Sequence, residues 1–332
     1  MSMLGVSARP QAYAWAADRA VLLHLGVLAA LLAAQLVLSD YAILSLARVM
    51  VLAVYAVGFN ILFGYTGLLS LGHAMLFAAG LYGAGLAAEF LGVGAVPALL
   101  IGIAAGVVVS AIFGLIALRT TGVAFMIVTL MFAQAGYLTS LYFGDYTRGD
   151  EGFVLRGDVR RAVLPGGISL DLTNPIVRYN LALGLLAVCL LGCLALVRSP
   201  IGRVLIAIRE NEERTRMLGY DTGANKLLAF VVSGTLAAAA GAAYALLFAY
   251  VGATFASIQY SILPLLWVLL GGAGTVLGPF VGTLLMFYLV DVSSSYTSAY
   301  MLIVGVALLA LVVWAPKGLL GTLRERIAPW LP

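Results

Sequence analysis

The chain has 332 residues, 63% of them hydrophobic and only 10% charged, and its mean hydropathy is +1.09. Soluble domains carry about 25% charged residues, so the composition excludes a soluble globular domain and specifies an all-α, polytopic membrane protein. The net charge of +4 comes from basic residues scattered among the loops, which points to membrane orientation and away from nucleic-acid binding.

Apolar runs predict about ten transmembrane helices, near 20–38, 48–63, 66–88, 95–117, 121–142, 177–197, 227–250, 256–271, 275–291 and 299–315, in a single transmembrane domain over residues 1–332. Arg9 and Arg19 precede the first run without a small-residue cleavage site, so it reads as a retained span. Residues 60–85, NILFGYTGLLSLGHAMLFAAGLYGAG, combine many glycines with polar side chains. Glycine lets a helix unwind beside a cavity, which makes Asn60, Tyr65, Gly67, Ser70, Gly72 and His73 candidates for lining a translocation pathway. The competing reading is a closely packed helix with an incidental histidine. In the fifth span Thr129 and Gln134 join the pathway candidates; Gln134 either meets a polar solute or ties two helices together.

Residues 144–176 form a long loop in which Asp145, Asp150, Glu151, Asp158 and Asp171 interleave with basic residues, and Pro165-Gly166-Gly167 marks a turn. Cys189 and Cys193 share one face of an apolar helix and read as two buried thiols. The 198–226 segment is the longest charged interruption with a helical reading. The spacing predicts a helix over 203–219 ended by Gly219, serving either as a docking knob for a soluble partner or as a solvated loop that sets topology. The spans at 256–271 and 275–291 flank Gly271-Gly272-Ala273-Gly274 and contain Pro264 and Pro279. A single helix through both would be about 60 Å long, twice the hydrocarbon core, so a hairpin of short or broken helices is expected.

Ten crossings put Arg9, Arg19, Arg119, Arg198, Arg203, Arg209, Arg214, Arg216, Lys226, Lys317, Arg324 and Arg326 on one side. The other side holds Arg148, Arg156, Arg160, Arg161 and Arg178, and Arg48 falls near a span end, where its stem can snorkel. The richer side is expected to be cytoplasmic, with both termini on it and the 144–176 loop periplasmic. No acid or lysine falls at the centre of a span, which weakens a proton- or sodium-coupled carrier; Glu89 and Asp291 sit at predicted outer ends. No H-E-x-x-H or G-x-x-x-x-G-K-[ST] motif occurs, so no catalytic residue, metal or cofactor is assigned to this chain, and any ATPase is another subunit.

Three stretches taken together, GFNILFGYTGLLSLGHAMLFAAGLYG, IGRVLIAIRENEERTRMLGYDTGANKLLAFVVSGTLAAAAGAAYALL and VLLGGAGTVLGPFVGTLL with PKGLLG, resemble the permease subunit of bacterial branched-chain amino acid ABC importers. The resemblance runs collinearly over about residues 43–321. It implies an inner-membrane subunit that pairs with a second, related permease, two cytoplasmic ATPases and a periplasmic solute-binding protein, amid membrane lipid. It further implies that Arg203, Arg209, Glu210, Asn211, Glu212, Glu213 and Gly219 belong to the ATPase-coupling segment. Small residues are usual in the family where this chain has Glu213, Arg214, Thr215 and Arg216. Thr147–Phe153, TRGDEGF, is similar to a family stretch in the outer loop, with Arg148 replacing a glycine, and makes Asp150, Glu151 and Gly152 candidates for binding-protein docking. Gln134 stands where many members carry an acid. Permeases of this type serve leucine-like amino acids, urea, short amides and small aromatic acids. The alternatives are a sugar-type ABC permease and a secondary transporter or channel working without an ATPase.

Overall fold

The computed structural model describes residues 19–157, 160–163 and 169–327. Arg9, Asp158 and the Pro165-Gly166-Gly167 turn lie outside the described residues. The chain runs as α1 (Arg19–Ala34), α2 (Asp40–Asn60) extended by a π-helical turn (Ile61–Tyr65), α3 (His73–Leu91), α4 (Ala95–Ala117), α5 (Gly122–Tyr142) and the short α6 (Gly144–Thr147). Strands β1 (Phe153–Val154), β2 (Arg161–Val163) and β3 (Ser169–Asp171) follow, then α7 (Pro175–Arg198), α8 (Pro200–Glu210), α9 (Glu212–Met217) and α10 (Thr222–Phe248). After β4 (Tyr250–Val251) and a 3-10 turn (Ala253–Ala256) come α11 (Ile258–Gly271), α12 (Gly278–Tyr296), α13 (Tyr300–Trp314) and α14 (Leu319–Arg326).

The fold is an all-α membrane bundle. Among the described residues six helices, α2 with its π turn, α3, α4, α5, α7 and α10, have the length and apolarity a crossing needs. Helices α1, α11, α12 and α13 occupy the other four expected spans. A helix apolar on every side ends in the middle of a bundle, and α2 does so: every residue from Ser45 to Asn60 except Arg48 is buried. Helices α7, α10, α11 and α12 pack around it, and α3, α4 and α10 pack on one another through small side chains, because lipid tails give no hydrophobic drive between helices and close approach must supply the contact. At Gly80 the α3 backbone lies so near Ala238 of α10 that a Cβ there would sit 2.6 Å from Ala238 Cα. Helices α4 and α5 instead present apolar surface outward, including Leu100, Val108, Ile112, Val123, Ile127 and Met131.

Several boundaries differ from those the hydropathy predicts. The third span begins at His73, with residues 66–72 irregular, because the π turn and Gly67 (φ +78°) break the helix first. Helix α10 begins at Thr222, capped by the Asp221 side chain accepting from Ala224 N at 2.9 Å, so Lys226 lies inside a helix and not in a loop. The expected single helix over 203–219 is two helices, since Asn211 ends α8 and caps α9 by accepting from Arg214 N at 2.8 Å. Gly219 follows at φ +89°, the left-handed stop expected of it. The hairpin of short helices forms as read: Pro264 lies within α11, Gly272 (φ +122°) and Gly274 (φ +73°) make the turn, and Pro279 sits in the first turn of α12.

The 144–176 loop is tied down rather than merely solvated. β1 pairs antiparallel with β4, β2 with β3, and Leu155 N donates to Ala249 O at 2.8 Å. The Arg160 guanidinium caps the end of α10, donating from Nε to Leu246 O at 3.2 Å and from Nη2 to Leu247 O at 2.9 Å. This loop, the starts of α2 and α7 and the ends of α10 and α12 share one end of the bundle. The π turn, α8, α9, the 271–278 turn and α14 share the other, called here the basic end.

Candidate functional site

The basic end brings four separated sequence segments into one junction. In a π turn the i→i−4 ladder slips, which frees carbonyls for other donors. Thr66 Oγ1 takes the Ile61 carbonyl at 2.9 Å, and Arg209 of α8 donates through Nη1 to the Gly64 carbonyl. Asn60, fully buried, clamps the hairpin turn from both sides: its Nδ2 donates to Thr275 O at 2.9 Å, and its Oδ1 accepts from Gly274 N at 3.0 Å. Arg324 of α14 donates to Gly274 O at 3.1 Å. Arg209, Gly274, Thr275 and Arg324 line an open cavity of about 540 Å³ together with Lys317 and Glu325, which pair at 2.8 Å. The buried Tyr65 hydroxyl has no hydrogen-bond partner among the described residues.

Residues 66–72 then cross to α5. Gly72 N donates to Ser70 Oγ at 3.2 Å, and Leu71 N donates to Thr129 Oγ1 at 3.1 Å. Gly72 faces Thr129 so closely that a Cβ there would lie 3.1 Å from Thr129 Cβ. His73 is fully buried against Phe59, with ring centroids 4.9 Å apart. Ser233 Oγ gives its one proton to Gly58 O at 2.6 Å, so the 2.7 Å contact with His73 has Nε2–H donating to Ser233. His73 thereby ties α2, α3 and α10 together. Ser261 of α11 accepts from Ala74 N at 2.9 Å, capping α3 from another helix. Asn60, Tyr65, Gly67, Ser70, Gly72, His73 and Thr129 thus cluster. Gln134 does not join them: half-buried further along α5, it makes no hydrogen bond to another described residue. Ser233, Ser261 and Arg324 belong to the cluster and carry no local sequence signal, since each is a common residue whose partner is more than 40 positions away.

Of the predicted docking residues, Arg203, Glu210, Asn211 and Glu213 are exposed, and so are the apolar Met217, Leu218 and Tyr220 beside them. Glu212 differs. It accepts from Lys226 Nζ at 2.6 Å and pairs with Arg216 at 3.3 Å, and the Lys226 side chain is only 7% exposed. Burial pushes the Glu212 carboxyl up, but the hydrogen bond and charge of Lys226, helped by Thr222 and Arg216, outweigh it and hold the group below its ordinary value. The stabilisation is therefore present above the ordinary carboxylate pKa and lost as pH falls through the depressed one. Glu212→Gln is expected to lower stability by about 1–3 kcal/mol at neutral pH, and thermal melting at neutral and acid pH should show the difference between the two proteins shrinking on acidification.

At the loop end, Asp150 accepts from the Tyr137 hydroxyl at 3.3 Å, the Glu151 carbonyl accepts from Tyr250 at 3.3 Å, and Gly152 (φ +64°) leads into β1. Cys189 and Cys193 are free and buried in α7. Among the described residues no three metal-ligating side chains converge.

The family profile for the branched-chain amino acid transport system permease component matches residues 41–313. The high-affinity branched-chain amino acid transport system permease protein LivM of Escherichia coli is 28% identical over 298 residues, covering 84% of this chain and 69% of that protein. A probable branched-chain amino acid transport permease protein LivM of Methanocaldococcus jannaschii is 34% identical over 90 residues, 27% of this chain and 26% of its own. The autoinducer 2 import system permease protein LsrC of Enterobacter sp. is 31% identical over 139 residues, 40% of this chain and 39% of its own. No solved structure matches. With a broken, glycine-rich helix clamped to a charged amphipathic segment, and with the profile matched across most of its length, this chain belongs to the branched-chain amino acid transport system permease family of inner-membrane ABC-importer subunits.

Proposed function

We propose that the chain forms half of the translocation pore of an importer for a branched-chain amino acid or a related small solute. A second, related permease supplies the other half, two cytoplasmic ATPases drive it, and a periplasmic binding protein delivers the solute near Asp150, Glu151 and Gly152. The chain itself performs no covalent chemistry and carries no cofactor. ATP binding and hydrolysis in the partners would switch the pore between two conformations through differential contacts with α8 and α9.

The observation that carries this reading is the contact of Arg209 with the Gly64 carbonyl, because it joins the exposed amphipathic segment directly to the break in the central helix. A push on α8 has a short, bonded route to the α2–α3 connection. The docking face is taken to be Met217, Leu218 and Tyr220 with Glu213 and Arg214 around them. Exchanging the last two charges, Glu213→Arg with Arg214→Glu, leaves the Glu212–Lys226 pair untouched. It should lower ATP-driven uptake in proteoliposomes about tenfold or more while membrane insertion and melting stay unchanged; unaltered uptake would remove the docking assignment.

The orientation follows the basic residues, with α8, α9 and both termini cytoplasmic. A cysteine at the exposed Thr173 should react with a membrane-impermeant thiol reagent in intact cells, and one at Thr322 only after permeabilisation. The reverse pattern would invert the bundle.

A further inference from the structure

Two guanidinium groups are held against one residue of the α11–α12 turn, and no carboxylate answers either. Helix α14 starts against that turn, where a Cβ on Gly318 would sit 2.5 Å from Gly272 N. From α14, Arg324 donates through Nη1 to Gly274 O at 3.1 Å. Arg209 reaches the same residue from α8: its Nη1, bonded to Gly64 O, lies 2.9 Å from where a Cβ on Gly274 would stand. A guanidinium carries five N–H groups on three nitrogens, and each of these spends one nitrogen on a carbonyl, so each keeps Nε and Nη2 for another acceptor. Among the described residues neither forms an ion pair. The acid of the cavity they line, Glu325, is already taken by Lys317 at 2.8 Å. That cavity of about 540 Å³ therefore sets three cations against one paired acid. Like charges fixed by backbone bonds repel, and an anion among them relieves the repulsion.

The cavity sits at the depth where hydrocarbon gives way to headgroups. Trp314, the last residue of α13, is 81% exposed, as Trp is where a span meets the interface, and Pro316 and Lys317 of the cavity wall follow it directly. Leu269 of α11 supplies an exposed apolar wall. Leu323 and Ile327 are exposed beside Arg324 and Arg326, the mixture expected of a helix lying in the interface.

We infer that this cavity binds the headgroup phosphate of an anionic phospholipid, with Arg209 and Arg324 on its oxygens and the glycerol end of the lipid along Leu269. Guanidinium forks match phosphate oxygens, and basic pockets at the ends of spanning helices suit such headgroups. The charge count sets the class. A choline or ethanolamine headgroup would bring a fourth cation to a site whose acid is already paired, so zwitterionic lipids are disfavoured. The bound lipid would brace α8 and α14 on the turn that Asn60 clamps. This inference goes beyond the importer reading and stands or falls on the chain alone.

The test mixes the full chain, purified in detergent micelles, with equimolar phosphatidylglycerol and phosphatidylcholine of identical acyl chains, and counts bound lipids by native mass spectrometry. The first lipid retained should be phosphatidylglycerol by at least about fivefold, the effect of one basic group on an anionic headgroup. Arg324→Gln should cut that preference severalfold. Arg119→Gln, which removes a charge at the basic end outside the cavity, should leave it unchanged. Inorganic phosphate in large excess should not displace the lipid, since it has nothing to lay along Leu269; displacement would make the cavity a soluble-anion site and overturn the lipid assignment. Equal retention of the two lipids would overturn it as well, and so would equal effects of Arg324→Gln and Arg119→Gln, which mark general surface charge. Should partners that copurify with the chain strip the lipid, an acidic partner surface and not a lipid occupies the cavity. If Arg324→Gln does not fold, the comparison of the two lipids and phosphate on the unaltered chain decides alone.

Discussion

Arg209→Met is expected to abolish ATP-driven uptake while the importer still assembles and its ATPases still turn over. The guanidinium donates to a carbonyl that the π turn has already withdrawn from the helical ladder, so methionine, similar in length, keeps the packing of the stem and removes only the donor. A hydrogen bond from a charged group contributes about 1.5–3 kcal/mol. Most of that loss falls on the coupling between α8 and the α2–α3 break, because α8 keeps its own buried face through Leu205 and Ile208. Arg209→Lys, which retains a donor but not the fork, should recover part of the uptake. The measurement is uptake and ATP hydrolysis on the same proteoliposomes: the ratio of solute moved to ATP spent should fall at least tenfold. An unchanged ratio would show that the Arg209–Gly64 contact is incidental.

Gly80→Val should prevent the chain from folding. A Cβ at this position meets the backbone of Ala238, which cannot rotate away as a side-chain tip would, so α3 and α10 must separate along their length. Overpacking costs typically about 1–3 kcal/mol and more where, as here, backbone must move, and the same contact holds α4 against the pair. Gly305 of α13 is the control, since a Cβ there has no heavy atom within 4 Å. Gly305→Val should therefore insert, purify as a single species and melt as the unaltered protein does. Size-exclusion profiles and melting of the two variants make the comparison. Equal behaviour would mean that α3 and α10 do not approach as closely as described.

The candidate site was only partly legible from the chain. Residues 60–73 announced a break because glycine and polar side chains inside an apolar run conflict with a continuous span, and the break is there. The role of each residue was less visible. His73 reads from the sequence as a pathway candidate, and the structure adds what the sequence could not give, its bond to Ser233 and its packing on Phe59 across the bundle. The partner of Glu212 was not legible either: Lys226, which the hydropathy leaves in a loop, lies inside α10 and pairs with that carboxylate. Arg48, read as a cation snorkelling at a span end, is exposed at the loop end, with its guanidinium over the Phe248 ring.

What the amino-acid sequence determined by itself was the class: apolar runs of about 20 residues cannot be soluble, charges must sit at their ends, and glycine and proline must interrupt them, because hydrocarbon solvates neither charge nor free backbone. These are properties of each segment against its solvent, so composition and spacing suffice to read them. Only the tertiary structure decided which interruptions meet. Asn60 with Gly274 and Arg209 with Gly64 are separated by 214 and 145 positions, and nothing local in either partner specifies the other. The pairing is fixed by how closely α2, α3 and α10 pack and by the hairpin of α11 and α12, which carries its turn beneath the broken helix.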